Sequence, residues 1–440
     1  MTLLSLKRAL ATAFLTATIG INAAETIVVD TSTIIRSIER NPLGINFNYI
    51  QDDDANRPSG VPRLCEVLKD LEVKWVRYPG GEKSDHHRFA LPPYEKVNPV
   101  VKATRGKMYQ RHAFGLDLLD FDEFMRAARE MGAEPIVVVP YDSAEFAQTE
   151  LKEFIEHAKG WVRYANVVKN YNVRYWEIGN ENWHPKSKNP VEKRTREILE
   201  IAGAMRAIDP SIKIGSSGVN GDNLDFVTYS NYALMDFDEY RVAVNPPFSR
   251  VREKTQHSCE SDKVFAVEFN AVQFVEPKDW NHDVSHCIQL FDMMGQLLSE
   301  DRIEMCALWG TRWMETEHSG FIWYLVDNKN VLTPIGYIYG MWSKNLKPNM
   351  INVSGPGQTR CFATHDPESG DISIMIINQS DESRTIQLEG LTTSGKAITQ
   401  QTFSGKNPNH NWGSLTETDV TGNTAFTLPG ISANVINITR

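Results

Sequence analysis

The stretch Asp120–Asp142 reads DFDEFMRAAREMGAEPIVVVPYD and joins the two periodicities that decide the fold. Asp120, with Glu123 three residues on, is a helix-opening pair in which each side chain can reach the other's backbone N–H. Phe121, Phe124, Met125, Ala128 and Met131 then recur at the spacing of one buried helix face, and Gly132 stops the helix. Glu134–Val139 follows as a continuous apolar run, the pattern of a strand covered on both faces of a parallel sheet.

The alternation extends in both directions. Strand-like runs occur at LGINFNYI (43–50), KWVRYPGG (74–81), VRYWEIGNEN (173–182), IKIGSSG (212–218), LDFVTYSNYAL (224–234), KVFAVEFNA (263–271) and MCALWGTRW (305–313). Helix-period segments, such as 61–73, 151–165, 197–210 and 285–300, separate most of them. With EPIVVVPYD this makes eight strands, which predicts an α/β fold closed as a (β/α)8 TIM barrel. Helical periodicity is weakest between 220 and 262. An open doubly wound sheet is the competing arrangement, but neither GxGxxG nor a phosphate loop follows the first strand.

After Asn345 the texture changes to short strands broken by Gly, Asn, Ser and Pro: DISIMIINQS, RTIQLEG, AFTLPG and SANVINITR. These predict a C-terminal β-sandwich domain. The expected organisation is a signal peptide over 1–24, a strand in 25–40 that joins the sandwich, a catalytic barrel over 41–345, and the sandwich over 346–440. The signal-peptide expectation rests on Lys7 and Arg8, the short apolar run Ala9–Ile21, and small residues around Ala23 and Ala24. It implies a secreted or periplasmic protein.

The 440 residues are 41% hydrophobic and 23% charged, with a net charge of −10 and no basic stripe. That argues against nucleic-acid binding, and no segment after the leader is apolar enough for membrane insertion. The five cysteines lack metal-ligand spacing and read as small buried residues, with one unassigned disulfide as the alternative. Oligomeric state is not legible.

Chemistry gathers at strand ends, where a barrel of this kind presents its βα loops. Glu177 and Glu181 share side-chain parity, but Glu177 lies roughly 13 Å deeper and must be paired, with Arg77 or Arg174. Glu181 sits at the mouth. Glu268 occupies the matching place three strands later. Two glutamates at one barrel mouth suit glycosidic bond cleavage, one as acid and the other as nucleophile or base. Taken alone, each is more often a loop ion pair.

WEIGNEN, RYPGG, FDEFMRAAREMGAEPIVVV, GAMRAIDPSIKI and VEFNA together resemble the clan A retaining glycoside hydrolases, most of all the family 51 α-L-arabinofuranosidases, with related agarase-like polysaccharide hydrolases beside them. The resemblance runs from Leu43 to Asn345. It implies Glu181 as acid/base and Glu268 as nucleophile of a double displacement. It also implies that Asn180 holds the sugar 2-hydroxyl and that Arg77 supports the nucleophile. The expected substrate is a plant or algal polysaccharide or oligosaccharide, and no cofactor is implied. Two positions depart from the arabinofuranosidase pattern: Glu82 stands where Asn is usual, and Ser230 where His is usual. They leave an agarase-like or other marine galactan hydrolase as an alternative, and a non-catalytic glycan-binding barrel as another.

Further sugar contacts are expected from Asp85, His86 and His87 in the loop after RYPGG, from Trp183 and His184 beyond the acid/base, and from Tyr232, Asn270, Trp309 and Trp313. Sugars stack apolar C–H faces on such rings and hydrogen-bond at their edges. An aromatic inside a barrel is also commonly core, as is expected of Trp75 and Trp161. His86 and His87 are adjacent and lack a third spaced ligand, so no metal is expected.

Overall fold

The computed structural model describes residues 24–101, 115–141, 149–183, 189–219, 223–244, 246–251, 255, 263–272, 284–312, 324–356, 359–405 and 413–440. Among them, eight parallel strands close a barrel. In order they are Leu43–Asn46, Trp75–Tyr78, Glu134–Val139, Tyr175–Ile178, Lys213–Ser216, Phe226–Tyr232, Val264–Asn270 and Ile303–Leu308. Each pairs with its neighbours in sequence, and the ring closes where Cys306 meets Leu43.

The helix that opened the sequence argument forms over Phe121–Met131 as expected. Glu123 N–H donates to Asp120 Oδ1 and Asp120 N–H to Glu123 Oε2, both at 2.9 Å. Gly132 ends it at φ 66°, a conformation that costs glycine little. Its five stripe residues are all buried. Cys65, Cys287 and Cys306 are buried, and Cys361 is half-buried.

The barrel interior is layered. Trp75, Ile136, Phe226, Phe265, Val267, Met305 and Ala307 form an apolar plug in the lower half. Above it on the same inward parity come Arg77 after Trp75 and Thr228 after Phe226. The seventh strand breaks that parity. Phe265 and Val267 belong to the plug, yet the next residue, Glu268, also turns inward to Arg77. Pairing with the sixth strand slips between Ala266 and Glu268, and such a slip resets which side chains face in.

The C-terminal part is one mixed nine-stranded sheet, joined by the N-terminal strand Glu25–Ser37. That strand runs antiparallel to Asn349–Ser354 and parallel to Arg384–Glu389. Strands from both ends of the sheet supply a single apolar cluster, including Ile27, Ile351, Ile398, Phe426 and Ile436. The sheet therefore curls around its own core, enclosing it as the two faces of the expected sandwich would. Its interior strand Ile372–Asn378 is buried on both sides. Ile374 and Ile376 face that cluster, while Met375 and Ile377 face the barrel helices. Arg360 of the sheet pairs at 2.8 Å with Asp292, which is fully buried on the helix Val284–Ser299.

Candidate active site

Arg77, fully buried at the end of the second barrel strand, organises the mouth. Its Nε donates to Glu177 Oε2 at 2.8 Å. One terminal nitrogen donates to Asn46 Oδ1 and Glu268 Oε1, both at 3.0 Å, and the other to Asn180 Oδ1 at 2.8 Å. One guanidinium thus reaches four side chains from three other strands or their ends. Glu177 is the deep, paired carboxylate of the sequence argument and Arg77 is its partner. Arg174 instead lies over the Tyr175 ring.

Glu268 accepts from Arg77 on one oxygen and from the Tyr232 hydroxyl on the other, at 2.6 Å. A carboxylate gripped on both oxygens is oriented, and its side chain keeps 6% exposure toward the mouth. Asn180 has its amide oxygen fixed by Arg77, which leaves its NH2 as the group that a ligand can use.

Glu181 follows on the loop, at φ 46°. A non-glycine residue in the left-handed region is costly and is found where the surroundings impose it. Gly179, at φ 69°, makes the turn possible, since a Cβ there would strike the Asn182 amide. The Glu181 carboxyl is pushed up to about 7, first by burial and next by the negative charge of Glu268. The Ser230 hydroxyl opposes that rise from close by, although its contact falls outside good hydrogen-bond geometry. Ser230 is paired in register with Glu268. Glu82 adds a smaller field that raises Glu181.

The other expected contacts divide. Trp183 is 41% exposed at the mouth, its backbone laid against Gly218. Trp309 is partly exposed beside Glu268. Asp85 is buried; burial holds its carboxyl well above the usual range, and it accepts from Asn180 N–H at 3.4 Å. Asp85 therefore supports the Asn180 backbone. His86 is fully buried as well. His87 lies in the core against Tyr49, Tyr78 and Trp161, and burial pulls it down to about 3, so it is a neutral packing residue away from the mouth. Asn270 is buried too. Its NH2 donates to the Trp309 carbonyl at 2.6 Å, and its oxygen accepts from Ala271 N–H and meets His286 Nε2 at 3.1 Å. That side chain anchors Trp309. His184 and Trp313 lie outside the described residues.

Three residues that sequence reasoning missed stand here. Asn46 bridges Arg77 to the Val267 carbonyl at 2.8 Å. Gly81 leaves room for the carboxylate: a Cβ there would strike Glu268 Oε1. Lys83 lies over Trp309. Their only signal was position, within or just after two strand-end runs. A cavity of about 260 Å³ opens at the opposite, N-terminal end of the barrel, lined by Arg174, Lys213, Lys263 and others. It is remote from these carboxylates. Among the described residues no group of three or more His, Cys, Asp or Glu is placed to hold a metal ion, and no helix is long and apolar enough to cross a membrane.

The closed barrel, with its appended curled sheet, thus brings two glutamates, Glu181 and Glu268, to its C-terminal mouth. Residues 67–256 match the family model described as the alpha-L-arabinofuranosidase 1 domain, a stretch that contains Arg77, Asn180 and Glu181 but ends before Glu268. A probable alpha-L-arabinofuranosidase C of Aspergillus niger is 27% identical over 196 residues, 40% of this chain and 34% of that relative. The chain thus matches about a third of that relative's length. An alpha-L-arabinofuranosidase of Thermotoga maritima, solved with arabinose, superposes with a TM-score of 0.72 at 18% identity, covering 95% of this chain and 100% of the other. The family 51 alpha-L-arabinofuranosidase AbfB of Bifidobacterium longum gives 0.70 at 15% identity, covering 95% and 99%. The chain therefore shares the fold of these family 51 structures, and over residues 67–256 it is similar to the alpha-L-arabinofuranosidase 1 domain.

Proposed function

We propose that the protein hydrolyses glycosidic bonds of a plant or algal polysaccharide or oligosaccharide by a retaining double displacement. The observation that carries this reading is the pair of opposed carboxyl environments. Glu181 keeps its proton near neutrality, while Glu268 is held by Arg77 and Tyr232. Two carboxyls with separated environments are the requirement for one acid and one nucleophile.

In the first step a Glu268 oxygen bonds to the anomeric carbon as the bond to the leaving oxygen breaks, and the Glu181 proton passes to that oxygen. In the second, Glu181 takes a proton from water, the water oxygen bonds to the anomeric carbon, and the glycosyl ester to Glu268 breaks. Glu181 ends protonated and Glu268 ends as carboxylate, as both began. The Asn180 NH2, aimed by Arg77, hydrogen-bonds the sugar 2-hydroxyl where charge develops at the ring.

α-L-Arabinofuranosides are the first substrates to test, on the family likeness. Galactans are the second, because Glu82 and Ser230 both act on Glu181 at positions where the family pattern differs. Incubation with aryl α-L-arabinofuranosides, arabinans and galactans, read by released aglycone or reducing ends, tests the reading. Binding without cleavage across that panel refutes it in favour of the glycan-binding alternative. Export is part of the same proposal, supported by the Lys7–Ala24 pattern, and N-terminal sequencing of protein from the medium or periplasm tests it.

A further inference from the structure

Two residues past Gly81, the short helical turn Glu82–Asp85 carries Lys83, buried at 5% exposure. Its Nζ stands 4.6 Å from the centre of the Trp309 ring, over the ring face. The edge of the same ring lies against Gly81, where a Cβ would come within 3.0 Å of Trp309 Cζ3 and would also strike Glu268 Oε1. Lys83, Trp309, Gly81 and the Glu268 carboxylate are therefore one contiguous group. The Trp309 backbone is anchored separately, through Asn270 and His286. That anchor holds the Trp309 main chain, and Lys83 meets the ring itself on its face. The carboxylates acting on the ammonium are Glu268, then Glu82, then Asp52. Arg77, the other cation near Glu268, is committed to Glu177, Asn46, Asn180 and Glu268 itself.

We propose, on the basis of the hydrolase reading, that Lys83 is a positioning residue whose ammonium clamps the Trp309 ring beside Glu268, holding ring and nucleophile in the arrangement the sugar meets. A desolvated ammonium over an indole face is attracted by the ring's quadrupole, and it also draws in the adjacent carboxylate. Burial pulls Lys83 down to about 8, against the opposing effect of the three carboxylates. The clamp is therefore charged below about pH 8 and is released as pH rises through that value.

The experiment uses the full chain with Lys83→Arg and Lys83→Met, and two kinds of readout. In lysine-labelled NMR, the signal absent from both variants should titrate near 8, well below the ordinary lysine value of about 10.4. Near-UV circular dichroism of the tryptophans should change with the same midpoint in the parent chain and stay level between pH 7 and 9 in Lys83→Arg. On whichever glycoside is cleaved, Lys83→Met should lower kcat by about tenfold to a hundredfold with KM little changed, as misplacement of a reacting group does. Lys83→Arg should recover most of that loss. A Lys83 signal that titrates with the surface lysines, or Lys83→Met turning over at the parent rate, overturns the proposal. A chain that cleaves no glycoside removes the hydrolase reading alone, and the two spectroscopic midpoints then decide the clamp.

Discussion

Two fully buried arginines, Arg77 and Arg312, each meet a carboxylate, and the contrast between them separates chemistry from construction. Arg312 follows the eighth strand and lies 3.4 Å from Asp52, with both side chains at 0% exposure. Asp52 also takes the Thr311 hydroxyl at 2.5 Å and Asn48 N–H at 2.6 Å, while Arg312 reaches the Gln51 carbonyl at 3.0 Å. That cluster sews the loop after strand one to the loop after strand eight. Arg77 has the same kind of partners, but Glu268 keeps an opening to the mouth and Glu181 stands close enough to feel its charge. Access to the mouth and the neighbouring carboxyl, rather than the ion pair itself, distinguish the proposed reactive site.

The sharpest way to break this comparison is to neutralise one acid from each cluster. Glu268→Gln should lower kcat by at least about 10³-fold and leave the melting temperature nearly unchanged, as loss of a covalent nucleophile does. Glu181→Gln should cost about 10²–10⁴-fold, the range of general acid–base catalysis, least on substrates with good leaving groups. Asp52→Asn should do the reverse, lowering the melting temperature while the folded fraction keeps its turnover. Equal kinetic losses at Asp52 and Glu268 would erase the distinction.

Breaking the structural cluster from its other side tests stability. Arg312→Met leaves Asp52 buried without its cation and should destabilise the chain by about 3–5 kcal/mol in denaturant unfolding. Gly81→Ala places a methyl against Glu268 Oε1 and should reduce kcat by about 10²-fold with little effect on KM. For pH, the proposed mechanism requires the acid form of Glu181 in its first step. With that carboxyl at about 7, kcat/KM should fall about tenfold per unit above pH 7. A plateau extending past pH 9 would contradict the assignment of Glu181. The smallest effect is expected far from the mouth. Gly132→Ala must hold alanine at φ 66°, and the chain should lose about 1 kcal/mol with unchanged kinetics.

Much of this was legible in the chain because it rests on local rules. The helix Phe121–Met131 declared its cap, stripe and stop, and all eight barrel strands could be placed from apolar runs and the glycines and prolines around them. Parity and depth along one strand separated Glu177 from Glu181. The loop after RYPGG was not legible, because Asp85, His86 and His87 are all buried when the turn Glu82–Asp85 folds under, and only Lys83 is brought over Trp309.

Periodicity, capping and composition act between residues near in sequence, so the sequence by itself determined a helix–strand alternation, an appended sheet and two glutamates at strand ends. Only the tertiary structure decided that Arg77 binds Glu177, Asn180 and Glu268 at once, that a register slip turns Glu268 inward, and that His87 belongs to the core and Asn270 to the support of Trp309. Those outcomes depend on barrel closure, which brings residues some hundred to two hundred positions apart within hydrogen-bonding distance. Desolvation and Coulomb coupling there follow from the assembled ring of strands, and no single segment contains them.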